Sequence, residues 1–356
     1  MTRRVLVLGN SATGRGISAA LAADSAIECV MGVRRSDAKP AFAKRVGVGF
    51  ITVDADSTTS VRNALRDVFA VVNAGGPFRP NDYRIARQCA QGSVHYVDTA
   101  ASRKYVAGIT ALNKQAQARA CLVVAGATLA PAISGALVDS LLDEFDRVTE
   151  IHTAISPMDE QRPWFATLQN MMRYVGRPMR VKHRGLWRDT FHWSEPETVR
   201  FPAPVGRRRT YLCDVVDLDL FPGRYGAQTV TFRASVSQAV LNYALAGLGR
   251  LRRLHNIVEY ESTMRRDEVQ RLLDMTTGIR VRVHGERNGA DIMRAACLIA
   301  RTNGNAAIAC SPAIALIRKW VREGIADVGA MPCLGLLNLD ALKAELLHHD
   351  VVLIRS

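Results

Sequence analysis

The sequence predicts an α/β chain in two parts: a parallel sheet covered on both faces, then an α+β domain built on a mostly antiparallel sheet. Three observations predict it. Short apolar runs alternate with helical patterns through residues 1–130, the signature of βαβ units. The first run, Val5 to Leu8, opens onto Gly9-Asn10-Ser11-Ala12-Thr13-Gly14 and then a helical pattern with Ile17 and Leu21 on one face. After residue 130 the order changes to strands followed by helices. The first part therefore reads as a Rossmann domain over 1–130, and the second as a substrate and dimerisation domain over 131–324. The segment 325–356 is expected to pack back on the first.

Taken in order, strands are expected near 4–9, 27–33, 50–54, 69–74, 94–98 and 121–125. Between them, Val61, Leu65 and Val68 share a helical face, as do Tyr105, Ile109 and Leu112. A helix carrying Ile133, Leu137, Leu141 and Phe145 then leads to a strand near 148–156. The stretch 156–209 is rich in Pro, Arg and aromatics and reads as a lid, a binding loop or a packing arm. Strands near 210–217 and 226–236, a helix pair over 238–275 and a helix over 305–322 complete the second domain. Between the last two, Arg287-Asn288-Gly289 joins strands 279–286 and 290–300 as a hairpin.

A strand, a glycine turn and a helix N-terminus make a pyrophosphate site, because the first N–H groups of a helix lack intrahelical partners. Here the pattern is Gly9-x-Ser11-x-x-Gly14, with serine where the middle glycine usually allows close backbone approach. The Ser11 hydroxyl is expected to donate to a phosphate oxygen. About 20 residues further on, an NAD site carries an acid for the ribose hydroxyl. This chain has Arg34-Arg35-Ser36 there, which suits a 2′-phosphate. The cofactor expected is NADP(H), with Asp54 beside the adenine. Asn73-Ala74-Gly75-Gly76-Pro77 and Gly126 are expected at the sheet edge near the nicotinamide.

Composition narrows the classes. With 48% apolar and 22% charged residues the chain is globular in kind. The net charge is +14, and seven lysines leave 40 arginines among the 47 cations. No basic block interleaves with aromatics and no recognition motif appears, so nucleic-acid binding is not expected. Seven scattered cysteines without a Cys-x-x-Cys pair argue against a disulfide framework and for a cytoplasmic setting. Val5–Leu8 is too short an apolar run for a secretory leader, and Gly and Pro break the uncharged 120–138 stretch, so no membrane association is expected. The eight histidines form no metal-binding pattern, and neither a Gly-x-Ser-x-Gly elbow nor a Gly-Lys-Ser/Thr loop occurs.

Three blocks resemble the saccharopine dehydrogenase-like reductases. They are Asn73-Ala74-Gly75-Gly76-Pro77-Phe78, Gly92-Ser93-Val94-His95-Tyr96-Val97-Asp98-Thr99-Ala100 and Ala125-Gly126-Ala127, the last extended by Pro131 and Ser134. Gly329-Ala330-Met331-Pro332-Cys333 resembles that family's closing segment. The likeness is firm over about 1–140 and loose beyond, and Ser11 departs from the pattern. It implies an NADP-binding Rossmann domain, a mixed-sheet domain and oxidoreductase chemistry, often on C–N bonds of amino-acid derivatives.

Hydride chemistry needs a positioned electrophile and a proton or cation for the developing charge. Tyr96 and Asp98, two residues apart on one strand, point to the same side. Facing the crevice, Tyr96 would donate a proton and Asp98 would orient an iminium; facing inward, Tyr96 packs and Asp98 caps the helix near Ser102. His95 points the other way. Arg103, Arg173, Arg177 and Arg233 are candidates for holding an anionic small-molecule substrate, while Trp164, Phe165 and Met171-Met172 are candidates for its apolar part. The function expected is NADPH-dependent reduction of an imine or carbonyl in an amino-acid-derived or secondary-metabolite intermediate, by a homodimer. The rivals are reduction of a conjugated C=C bond and a non-catalytic NADP-binding sensor or scaffold.

Overall fold

The computed structural model describes residues 2–34, 41–157, 175–236, 239–254, 277–300, 305–346 and 349–356. Arg35, Ser36, Trp164, Phe165, Met171-Met172 and Arg173, named above as candidates, lie outside these residues, as does the second half of the expected helix pair. The chain forms two compact units, one of 1–133 with 306–346, the other of 134–305 with 347–356.

In the first unit the strands are β1 (Arg3–Leu8), β2 (Ile27–Val33), β3 (Gly49–Thr52), β4 (Ala70–Asn73), β5 (His95–Asp98) and β6 (Leu122–Ala125). With the strand Gly329–Pro332 beside β6, the order across the sheet runs Gly329–Pro332, β6, β5, β4, β1, β2, β3. Every pairing is parallel. Both faces carry helices, so β4, β6 and the Val5–Leu8 part of β1 are continuously buried rather than alternating. The order reverses between β1 and β4, the place where such sheets open a crevice at their carboxyl ends.

The second unit begins with the helix Ser134–Asp139. Its strands are β7 (Arg147–Ser156), β8 (Pro178–His183), β9 (Leu186–Phe191), β10 (Glu197–Arg200), β11 (Arg207–Leu212), β12 (Thr229–Ala234), β13 (Gly278–Arg287) and β14 (Ala290–Ala300). Only β7 and β12 pair in parallel, and the remaining pairings are antiparallel. The β13–β14 hairpin turns at Asn288-Gly289, both at positive φ, as a two-residue primed turn requires.

Two boundaries differ from those expected. The helix Asn305–Glu323 belongs almost wholly to the first unit, because its apolar side seats Ile308, Ala309, Ala313 and Ile317 in that core. Cys310 lies against Thr13 and Gly16, and Arg318 pairs with Asp24 and Glu345. The returning segment also ends sooner: the strand Val351–Arg355 pairs with β14 and so joins the second sheet. Among the described residues no helix is long and apolar enough to cross a membrane.

Candidate functional site

The switch point is built backbone against backbone. Leu8 and Asn73 are register partners at the ends of β1 and β4, and Ala74 N–H donates to Leu8 O at 2.8 Å. Gly9 follows at φ +114°, a conformation that glycine alone adopts without strain. A Cβ on Gly9 would lie 2.7 Å from Gly75 Cα, and one on Gly14 would lie 2.4 Å from Gly9 O. The two glycines are therefore required by contact between the turns and the first helix, α1 (Ala12–Ala22).

Ser11 is the N-cap of α1. Its hydroxyl accepts from Gly14 N–H at 3.1 Å and donates to Ala74 O at 3.3 Å. The expected donation to a phosphate is thus corrected: the hydroxyl's proton is engaged by Ala74, and the cap explains why serine is accommodated here. Helical geometry leaves the N–H groups of Ala12 and Thr13 with no acceptor among the described residues. Asn10 Oδ1 is buried and has no hydrogen-bond partner among them. Arg34 follows directly on β2, exposed, at the same carboxyl edge. Asp54 is exposed beyond β3, with Oδ1 accepting the Asp56 N–H.

A polar lattice behind this edge joins the turns. Asn73 Oδ1 accepts Gly75 N–H at 3.1 Å, while its Nδ2 donates to Tyr96 Oη at 3.1 Å. Tyr96 Oη lies 3.3 Å from Tyr105 Oη, and Tyr83 Oη donates to Tyr105 O. Asp98 Oδ1 accepts from Ala100 N–H at 3.0 Å and from Gly126 N–H at 2.9 Å. Its Oδ2 is buried and has no aligned donor. Burial pushes the Asp98 carboxyl up to about 6, against the opposing pull of those two N–H groups and of the nearby Tyr96 and Tyr105 phenols. Burial also raises the Tyr96 phenol well above its ordinary value.

These contacts correct the roles expected for Tyr96 and Asp98. Both are 0% exposed, so the side of β5 they share is interior and presents no proton to a substrate. Asp98 does not cap the helix near Ser102 either; that helix has no side-chain cap bond. Gly126 is buried too: a Cβ there would lie 2.9 Å from both Val106 Cγ1 and Pro131 Cδ. Gly75, Gly76 and Pro77 are half-buried and form the accessible wall. His95 is packed, its Nδ1 accepting Leu122 N–H and its ring near Phe69 and Trp320.

The described candidate arginines fall in both units. Arg103 opens a helix of the first unit, whereas Arg177 precedes β8 in the second and its carbonyl accepts His192 N–H. Arg233, on β12, is ion-paired with Glu197. One group escaped the sequence reading altogether. Asp217, first residue of the helix Asp217–Tyr225, is 1% exposed, and neither carboxyl oxygen has an aligned hydrogen-bond partner among the described residues. Burial lifts its pKa to about 7, with the nearby Ser134 hydroxyl opposing. An acid in the first turn of a helix ordinarily faces solvent, so nothing in the sequence singled it out.

Residues 5–124 match the family model described as the saccharopine dehydrogenase NADP binding domain. No curated protein matches the chain significantly in sequence. In shape it is similar to saccharopine dehydrogenase (L-Glu forming) from Saccharomyces cerevisiae, with TM-score 0.69, 14% identity, and coverage of 99% of this chain and 100% of that one. An engineered D-amino acid dehydrogenase bound to NADP+ gives TM-score 0.48 at 16% identity over 97% and 99% of the two chains. A probable dehydrogenase from Thermotoga maritima gives 0.47 at 9% identity over 97% and 94%. Of these three, the yeast likeness alone is close enough to bear on the fold. Glycines that no Cβ can replace, free N–H groups at α1 and an orphaned Asn10 oxygen fit the dinucleotide that this domain type binds. Residues 5–124 thus form a saccharopine dehydrogenase-type NADP-binding domain, and the chain is an NADP-dependent oxidoreductase.

Proposed function

We propose that the protein uses NADPH to reduce a C=N or C=O bond in an amino-acid-derived or secondary-metabolite intermediate. The observation that carries this reading is the approach of Gly9 to Gly75 at the switch point, with exposed Arg34 on the same edge. In it, the Ala12 and Thr13 N–H groups and the dipole of α1 hold the pyrophosphate. Arg34, with Arg35 and Ser36, takes the 2′-phosphate, and Asp54 lies towards the adenine. Gly75-Gly76-Pro77 bounds the nicotinamide. When bound, the reduced cofactor supplies the hydride. Tyr96, Asn73 and Asp98 are positioning residues: they fix the Gly75 and Gly126 turns from inside and give no proton to substrate.

The excess of arginine supports an anionic small-molecule substrate. All seven cysteines are free and buried, which supports a reducing, cytoplasmic setting. The homodimer belongs to the same proposal, and sedimentation velocity tests it.

Arg34→Ala tests the cofactor assignment. Loss of one charge-assisted bond, about 1.5–3 kcal/mol, lowers the preference for NADPH over NADH by about tenfold or more. Fluorescence titration with both nucleotides reads it, and an unchanged ratio overturns the role of Arg34. Oxidation of NADPH with cyclic imines, ketones and enones as parallel substrates separates C=N, C=O and C=C reduction. Turnover of enones alone overturns the first reading in favour of the last.

A further inference from the structure

The second unit contains a group of arginines that the cofactor site does not use. The order across its sheet is β10, β11, β12, β7, β13, β14. In a flat sheet, β10 and β13 would stand about 19 Å apart at roughly 4.8 Å per strand. Yet Glu197 on β10 reaches both Arg233 on β12 (Nε to Oε2, 2.8 Å) and Arg282 on β13 (Nη2 to Oε1, 3.3 Å). The β10–β11 ribbon therefore curls over the sheet. Val199, Phe201 and Val205 under the curl pack on Ala154, Cys297 and Ile299 and hold it there.

Beneath the curl lies a cavity of about 20 Å³, lined by His152, Glu197, Val199, Arg233, Arg280 and Arg282. That is room for about one water-sized group. Its charge does not balance. Three guanidiniums face one carboxylate, because the neighbouring Glu195 is engaged by Arg188 through both oxygens. Arg233 has only 11% of its side chain exposed, and its burial, with Arg282 close by, lowers its pKa despite Glu197. The Arg282 Nε–H is buried and has no acceptor among the described residues; the same holds for Arg208, the register partner of Val199. Buried cationic donors left without acceptors are costly, and an anion between them removes the cost.

We propose that this cavity is an anion site that takes the oxyanion end of a small carboxylate or phosphate. Arg280 and Arg282 on β13 and Arg233 on β12 bind it, and Glu197 sets its strength by competing for the same guanidiniums. The site lies within the second unit and does not depend on the reading of the NADP domain.

Thermal unfolding of the whole protein tests it, in sodium acetate and in sodium phosphate, each against sodium chloride of equal ionic strength. A ligand that binds only the folded state raises Tm. The proposal expects a rise with at least one of the two salts, and the active salt identifies the source. Arg280→Gln and Arg282→Gln are each expected to weaken that binding by about tenfold or more, the loss of a charge-assisted contact. Glu197→Gln is expected to tighten it several-fold, a gain that a merely structural ion pair does not produce. Arg34→Ala is expected to leave the rise intact, which separates this site from an anion held at the arginine that follows β2. The proposal is overturned by no rise in either salt, by a rise kept in both β13 variants, by one lost in Arg34→Ala, or by weakening in Glu197→Gln.

Discussion

Asp98 Oδ1 accepts the N–H of Gly126 at 2.9 Å and so ties the end of β5 to the turn that follows β6. The same oxygen holds Ala100 N–H, and both bonds are fully buried. An alanine here strands two donors, each at a cost of about 1–3 kcal/mol. Asp98→Ala is therefore expected to lose roughly 2–5 kcal/mol of stability. Asp98→Asn keeps an oxygen at the Oδ1 position and is expected to retain most of it, along with NADPH affinity. Urea unfolding with a parallel NADPH titration checks this; an alanine variant as stable as wild type removes the proposed tie.

Ser11 stands where the dinucleotide fingerprint usually has glycine, and its hydroxyl is engaged by Gly14 N–H and Ala74 O. Ser11→Ala is expected to cost about 1 kcal/mol through the lost cap, and Ser11→Gly only a few tenths. Neither change removes a phosphate ligand on this reading, so NADPH affinity in Ser11→Gly is expected to hold or improve. A tenfold weaker dissociation constant in Ser11→Gly shows instead that the hydroxyl meets the phosphate.

Much of the first unit was legible because its signals are local. Gly9 and Gly14 stand out since a turn at positive φ and a helix start packed on the Gly9 carbonyl exclude a Cβ within six residues, although the contact of Gly9 with Gly75 is long-range. The capping preference of Ser11 is equally local, but the same hydroxyl also suits a phosphate contact, and the sequence alone does not choose between them. Burial is a different matter. The two-residue repeat puts Tyr96 and Asp98 on one side of β5 and says nothing about whether that side is crevice or core. The helix Asn305–Glu323 shows an apolar face that needs a partner, and that pattern fits either sheet; Thr13, Asp24 and Glu345, distant in sequence or on another helix, decide it. The meeting of Glu197 with Arg282 is further out of reach, as it depends on a ribbon curling across three intervening strands.

The carboxyl of Asp217 gives the chain a pH dependence of definite sign. Burial raises it from 3.8 to about 7 in the folded protein, so folding favours the neutral acid. Its contribution is complete below the unfolded value and is lost as pH rises from about 4 through about 7. The total is roughly 3–5 kcal/mol at one proton. Asp217→Asn cannot ionise, and the unpartnered Ser134 hydroxyl can accept from its amide. Near pH 4 the variant is expected to match wild type, and above pH 7 to exceed it, with the gap opening through that window. Urea unfolding across the range, read as the difference between the two proteins, cancels groups common to both, Asp98 included. Parallel curves place an ordinary, hydrated carboxylate at Asp217.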